Sequence, residues 1–316
     1  MKYARAVDRA GSPIHATARA LMVDRTTAEI VGALEDHDIP CVLLKGPAIH
    51  SWLYDDAAPR PYSDSDVLVP APRADEAVAV LERIGFVETT VSGMPLLRPV
   101  HARELTRPSD RSNVDLHTTL SGAAAPPEDV WSAVSTGAEL LRVGGRSVRV
   151  PSRGVLALIV TLHAAHHGID EKRPLEDLRR AVAQADVETW RVAASAAAAV
   201  GALEAFGVGL ALVPEGADLW ARLRLTSARP GALVRLRAAS APDLAEGFAW
   251  LAAQRGLKRK LLFVCSRAFP PPAFMRRWSP LARRGRLGLL AAYAWRPLWL
   301  ALHAPAGLRA WLKARR

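Results

Sequence analysis

An α+β fold is expected, with a mixed sheet in residues 1–150 and helices in residues 151–316. Three observations predict it. Short apolar runs, CVLLKG (41–46), DVLVP (66–70) and NVDLHTTL (113–120), alternate with amphipathic helical stretches. LRVGGRSVRV (141–150) places Gly-Gly between alternating apolar positions, the pattern of a hairpin. From Ser152 onward strand patterning stops and helical runs take over.

The elements follow in order. Residues 14–38 carry Ile14, Ala18, Leu21, Met22, Ile30 and Leu34 at helical spacing. CVLLKG then suits a short buried strand ended by glycine, and Pro47 suits the first turn of the next helix, where its missing N–H costs nothing. The loop DDAAPRPYS (55–63) leads into the strand DVLVP, closed by Pro70 and Pro72. RADEAVAVLERIG (73–85) reads as a helix with acids in its first turn and glycine at its end. FVETTV (86–91), a stretch around Leu96 to Leu105, and NVDLHTTL read as strands. VLALIVTLHAAHHG (155–168), PLEDLRRAVAQA (174–185) and the Ala-rich stretch 187–213 read as helices, and no repeat of fixed period is present.

Half the residues are apolar and 23% are charged, which is globular rather than disordered composition. Two cysteines, Cys41 and Cys265, supply neither a disulfide framework nor a Cys-rich zinc pattern, so a reducing compartment is the default. The first 24 residues lack a continuous apolar stretch and carry acids early, so no secretory leader is expected. Val192 to Val213 is mostly Ala and Gly with Glu204 inside it, and Leu287 to His303 is broken by Arg296 and Pro297; neither reads as a membrane span. A soluble, cytoplasmic protein is expected. Its net charge of +11 is uneven: no acid follows Glu246, and residues 251–316 hold 15 Lys or Arg. That segment is a candidate surface for nucleic acid or an anionic surface, which leaves a peripheral membrane location open.

The chemistry concentrates in RPYSDSDVLVP (60–70). Side chains alternate along a strand, so Asp64 and Asp66 point the same way. Two carboxylates held so close repel unless a cation joins them. Magnesium or manganese suits oxygen ligands together with substrate phosphates, and a third carboxylate completes a two-metal site with ions ~4 Å apart. Asp115 in NVDLHTTL is the best candidate for that third carboxylate. Upstream, LLKGPA passes from strand to helix through Gly46, leaving backbone N–H groups that favour phosphate, with Lys45 beside them. Carboxylates for metal and a turn for phosphate together describe nucleotidyl transfer from a nucleoside triphosphate.

Several of these residues have a plainer reading. D-x-D also occurs in exposed acidic turns. Lys45 either contacts phosphate or pairs with an aspartate. Arg60 either bonds loop carbonyls or neutralises phosphate or a site carboxylate with its guanidinium fork. Ser63 either contacts phosphate or closes a turn. His117 shares the face of Asp115, where a structural hydrogen bond is the commoner role. His163 and His167 have zinc-binding spacing without a placed third ligand, so a packed pair is the ordinary reading. Trp278, Trp295, Trp299 and Trp311 lie among basic residues, as base-stacking or lipid-interface residues do, although helix packing is the commoner use.

The pattern as a whole resembles the uncharacterised nucleotidyltransferase family of the polymerase-β-like superfamily. The matching residues are Leu43, Leu44, Lys45, Gly46, Tyr54, Arg60, Asp64, Asp66, Gly85, Phe86, Asp115, Leu116 and His117. LHAAHHG with Asp177 and Leu178, FPPPAFMRR, and the end around Tyr293 and Arg296 extend the likeness over most of residues 30–300. The resemblance implies a nucleotidyltransferase-like N-terminal domain in which Gly46 grips the triphosphate of a nucleotide such as ATP. It implies metal binding and catalysis by Asp64, Asp66 and Asp115, with NMP passed to an acceptor hydroxyl on a small molecule, peptide, protein or RNA. Here Gly46 precedes Pro47, where the superfamily usually has Gly or Ser. The alternative is a non-catalytic nucleotide- or RNA-binding module acting through the basic C-terminal segment.

Overall fold

The computed structural model describes residues 13–55, 60–89, 102–226 and 229–316. Helix α1 (Pro13–Glu35), the first element among the described residues, buries Ile30, Val31 and Leu34, while Leu21 and Met22 of the same periodic set stand exposed. Strand β1 (Val42–Leu43), helix α2 (Pro47–Leu53), strand β2 (Ser65–Leu68) and helix α3 (Ala74–Arg83) follow in the expected order. Asp75 and Glu76 lie in the first turn of α3, where they complement the helix dipole.

Strand β3 (Val87–Glu88) is shorter than the apolar run predicts, and strand β4 spans Ala102–Arg107. Of the strands expected here, residues 90–91 and 96–101 lie outside the described residues, as do residues 56–59 of the loop before β2. Strand β5 (Ser112–His117), helix α4 (Pro127–Ser135) and the hairpin β6 (Glu139–Val143) and β7 (Arg146–Val150) complete the β-rich part. The hairpin turns through Gly144 and Gly145 at φ 55° and 86°, the paired positive values its two-residue loop requires.

The sheet order is β1-β2-β5-β4-β3, with β2 and β5 parallel and every other pair antiparallel. A parallel pair cannot be joined by a tight turn; here the chain crosses over through α3, β3 and β4. Val67, Val69, Val114 and Leu116 pack with Ile30 and Leu34 of α1, Leu81 of α3 and Val148 of the hairpin in one apolar core.

Helices α5 (Arg153–His167), α6 (Lys172–Gln184), α7 (Val187–Ala199), α8 (Leu203–Leu210) and α9 (Pro214–Arg222) come next. The Ala-rich stretch expected as one helix is two, α7 and α8, because Gly201 adopts φ 65° and ends the first. Eleven of the fifteen residues of α5 are buried, which marks a central helix rather than an amphipathic surface one. Leu156 of α5 belongs to the same core as the sheet.

The chain divides into two compact units near residue 230. The change from strand to helix falls near residue 150, at the end of β7, but α5 shares the sheet's core and stays with the first unit. The second unit, residues 231–316, contains α10 (Ala232–Ala238), α11 (Asp243–Ala253), α12 (Leu257–Ala268), α13 (Pro272–Trp278) and α14 (Gly285–Arg315). Leu236, Ala245 and Ala314 form one small core in it, and Met275, Ala282 and Ala292 form another.

Candidate active site

The parallel pairing of β2 and β5 sets Asp66 directly opposite Asp115 and Leu68 opposite His117. Alternation along β5 then puts Asp115 and His117 on one face of the sheet. On the other face Ser65 hydrogen-bonds Thr27 of α1 at 2.7 Å, so β2 is polar toward both neighbours yet fully buried. One carboxylate oxygen each from Asp66 and Asp115 and one ring nitrogen of His117 lie within 4.8 Å of one another.

Lys45 enters from the end of β1, whose continuation is tied to β2 by the Leu44 N–H donating to the Asp66 carbonyl at 2.8 Å. The Lys45 ammonium donates to Asp66 Oδ1 at 2.5 Å, and His117 Nε2 lies 3.1 Å from the same oxygen. Gly46 follows at φ 62°, a conformation that allows the chain to turn from β1 into α2 and that side chains disfavour. A Cβ there would meet the Tyr62 ring at 3.6 Å and the Asp64 carbonyl at 3.8 Å.

The two paired carboxylates differ sharply. Burial raises the proton affinity of Asp66, but Lys45 and His117 overcome it and hold the carboxyl well below the usual carboxylate range. Asp115 is pushed up to about 7, first by burial and then by the charges of Asp66 and Asp64, with Lys45 opposing. One carboxylate is thus fixed as an anion while its neighbour exchanges a proton near neutrality.

That contrast has a consequence for stability. The folded chain holds the Asp115 proton more tightly than the unfolded chain, whose carboxyl keeps its ordinary value of 3.8. Folding stability therefore falls as pH rises from the ordinary carboxylate value to about 7, and the penalty is complete above that. Asp115→Asn is expected to raise the thermal midpoint in chelator at about pH 8, with a smaller gain at about pH 5. Melting curves at both pH values check this; equal gains at the two would contradict it.

Asp64 is partly buried, stands outside the Asp66, Asp115 and His117 group, and acts on it through its charge. Ser63 Oγ lies 3.5 Å from Asp64 Oδ1. Arg60 is turned to a different partner: its Nε donates to Asp177 Oδ1 at 2.9 Å and its Nη2 to Asp177 Oδ2 at 2.8 Å. Tyr54 donates to Asp177 Oδ1 at 2.6 Å, so residues on both sides of 56–59 are held by one carboxylate on α6. Arg60 and Asp177 are 4% and 0% exposed, which makes this a desolvated ion pair.

Helix α5 brings histidines toward the same centre. His163 packs edge-to-face on His167 with ring centroids 4.5 Å apart. Burial, and after it the charge of Lys45, holds its proton affinity well below the ordinary histidine value, so this imidazole is neutral. His166 Nδ1 lies 2.6 Å from Ser121 Oγ.

His117 makes a hydrogen bond of the structural kind expected of it, to Asp66, and Asp177 is a residue to which sequence reasoning gave no role. The parity of Asp115 and His117 on one strand was the available signal for the first. Asp177 stood in the family likeness, but nothing local told its role, because its partners Arg60 and Tyr54 are 117 and 123 residues away.

Residues 12–217 match the family described as "Uncharacterised nucleotidyltransferase". Among solved structures, the antibiotic-resistance factor ANT(2'')-Ia is 18% identical, with 60% of this chain and 95% of that one covered and a TM-score of 0.41. The lincosamide antibiotic adenylyltransferase LnuA is 18% identical over 48% of this chain and 92% of its own, with a TM-score of 0.33. An antigenic nucleotidyltransferase-like protein from Paracoccidioides brasiliensis is 16% identical over 66% and 94%, with a TM-score of 0.39. No curated protein matches the chain.

Proposed function

The chain belongs to the uncharacterised nucleotidyltransferase family, and on that premise we propose that it transfers NMP from a nucleoside triphosphate to an acceptor hydroxyl, releasing pyrophosphate. The observation that carries this reading is the pairing of Asp66 with Asp115 across parallel strands, with His117 beside them and Lys45 on Asp66.

The donor set fits a divalent cation. Two carboxylates and an imidazole converge within 4.8 Å, and the carboxylates suit magnesium or manganese. The Lys45 ammonium already supplies positive charge at Asp66 Oδ1, which marks that oxygen as a cation site. Asp66, Asp115 and His117 would hold the ion, with Asp64 adding charge nearby. When bound, such an ion neutralises phosphate charge and lowers the pKa of an acceptor hydroxyl.

The remaining work falls to the chain. Asp66 stays ionised and anchors the positive side of the substrate complex. Lys45, whose side chain is 20% exposed, is free enough to turn from Asp66 toward a triphosphate oxygen. Gly46 keeps side-chain bulk away from the turn where the phosphates lie. Asp115, directly opposite Asp66 on β5, is the group placed to take the acceptor's proton. The acceptor oxygen attacks the α-phosphorus in line, the bond to the bridging β-phosphate oxygen breaks, and pyrophosphate leaves. A purely nucleotide- or RNA-binding role is not favoured, since the family the chain belongs to is one of nucleotidyltransferases.

Incubation with each α-labelled NTP, magnesium or manganese, and fractionated lysate of the native cell tests the reading. Label transferred to an acceptor, with pyrophosphate released in equal amount, is the expected result. Label that remains in free nucleotide with every NTP and both metals would refute it.

A further inference from the structure

Helix α14 is docked on one face and bare on the other. Gly288, Ala292 and Arg296, successive at four-residue spacing, are buried. A Cβ at Gly288 would collide with the Leu281 carbonyl oxygen, and one at Gly307 would stand 2.8 Å from Leu244 Cβ. The Arg296 guanidinium lies over the Phe274 and Trp278 rings at 4.8 and 4.7 Å. Away from that face, Leu287, Leu298 and Leu302 are 83%, 52% and 62% exposed, and their spacing of eleven and four residues keeps them on one side. An ordinary amphipathic helix turns its leucines inward and its polar residues outward. This one turns Gly288, Ala292 and Arg296 inward, with Leu289 and Tyr293 packed beside them, and leaves Leu287, Leu298 and Leu302 in water.

Helix α12 buries Phe263 but also exposes apolar side chains. Leu257, Leu261, Leu262 and Val264 are 72%, 55%, 48% and 48% exposed, and Lys258, Arg259 and Lys260 stand exposed among them. Of the 19 large apolar side chains exposed among the described residues, 13 fall between Leu257 and Leu312, so the exposure is concentrated rather than scattered. The same stretch belongs to a segment, residues 251–316, with 15 Lys or Arg and no acid.

We propose that α12 and α14 form a docking surface for an anionic lipid bilayer, lying on it without crossing it. The two halves of the surface need two kinds of partner at once, and a bilayer of anionic lipid offers both. Headgroups take the Lys and Arg side chains, and the acyl boundary takes the leucines. RNA would satisfy the charges but leave the leucines in water. A second copy of the chain meeting through this face would set cations against cations with no acid in the segment to offset them. No helix among the described residues is long and apolar enough to cross a membrane. The surface stands independently of the reading of the active site.

Flotation of the full chain with phosphatidylcholine vesicles, with and without about 30% phosphatidylglycerol, tests the proposal. Binding only to the anionic vesicles is expected. Replacing Lys258, Arg259 and Lys260 by Gln should weaken it by roughly a hundredfold, at about fivefold per charge. Replacing Leu287, Leu298 and Leu302 by Ser should weaken it at least about tenfold with the thermal midpoint unchanged, since all three are exposed. Failure to bind anionic vesicles overturns the proposal, as does binding that the leucine variant keeps in full, which is adsorption by charge alone. A dimer in solution that the leucine variant dissolves overturns it in favour of a second copy. RNA affinity lost in the Lys258, Arg259 and Lys260 variant, without vesicle binding, overturns it in favour of nucleic acid.

Discussion

Asp66→Asn is expected to lower nucleotidyl transfer by about a thousandfold or more while the chain stays folded. The substitution keeps size and shape and removes only the charge. That charge is central to the site: Lys45 at 2.5 Å and His117 at 3.1 Å converge on a single oxygen of Asp66. Burial alone would favour the neutral acid, yet the two partners hold the carboxyl well below the usual range. The asparagine oxygen can still accept from Lys45, so loss of fold is not expected. It cannot match a carboxylate in attracting a cation or in balancing Lys45, so metal affinity measured by calorimetry should fall together with turnover.

A neighbour on the same strand provides the control. Ser65 faces α1 and bonds Thr27 at 2.7 Å, away from the carboxylates. Ser65→Ala should cost stability on the order of 1 kcal/mol through the lost buried hydrogen bond and leave turnover close to parental. If Asp66→Asn instead keeps more than about a tenth of parental turnover, Asp66 is not part of the chemistry.

The sheet and the carboxylates were readable in sequence for a physical reason. An apolar run bounded by Gly or Pro, such as CVLLKG or DVLVP, has few alternatives to a buried strand, and parity along a strand assigns each side chain a face. Asp115 and His117 share a face by that rule alone. The register that brings Asp66 opposite Asp115 was not readable, because it is set by a crossover through α3, β3 and β4 rather than by any local pattern. Lys45 left two readings open, phosphate contact or an aspartate partner, and only the position of Asp66 shows which contact it makes. The break between α7 and α8 was missed because alanine suits a helix at every position, and a single glycine at φ 65° outweighed that propensity. Long-range polar pairs are the least legible of all: nothing near Arg60 announces a carboxylate on α6.

That pair carries the second large effect. Asp177→Ala is expected to destabilise the chain by about 3–5 kcal/mol, because it leaves the Arg60 guanidinium buried without its counter-charge. The Arg60 and Asp177 side chains are 5% and 1% exposed, so water cannot replace the lost partner without opening the structure. The Tyr54 hydroxyl, 2.6 Å from the same carboxylate, loses its acceptor as well. Urea unfolding should show the midpoint shift at an unchanged slope. Replacing both partners, Arg60→Met with Asp177→Leu, removes the unpaired charge and should restore much of the loss, since an apolar pair of similar volume avoids the desolvation cost. The double variant separates stability from positioning. Arg60 lies four residues before Asp64 and six before Asp66, so the clamp on α6 also fixes how the chain enters β2. A double variant that regains stability but not turnover would assign the clamp to placement of Asp66; one that regains both would make it a purely structural tie. An Asp177→Ala variant within about 1 kcal/mol of the parent would mean that the pair is hydrated in solution and that the clamp does not exist.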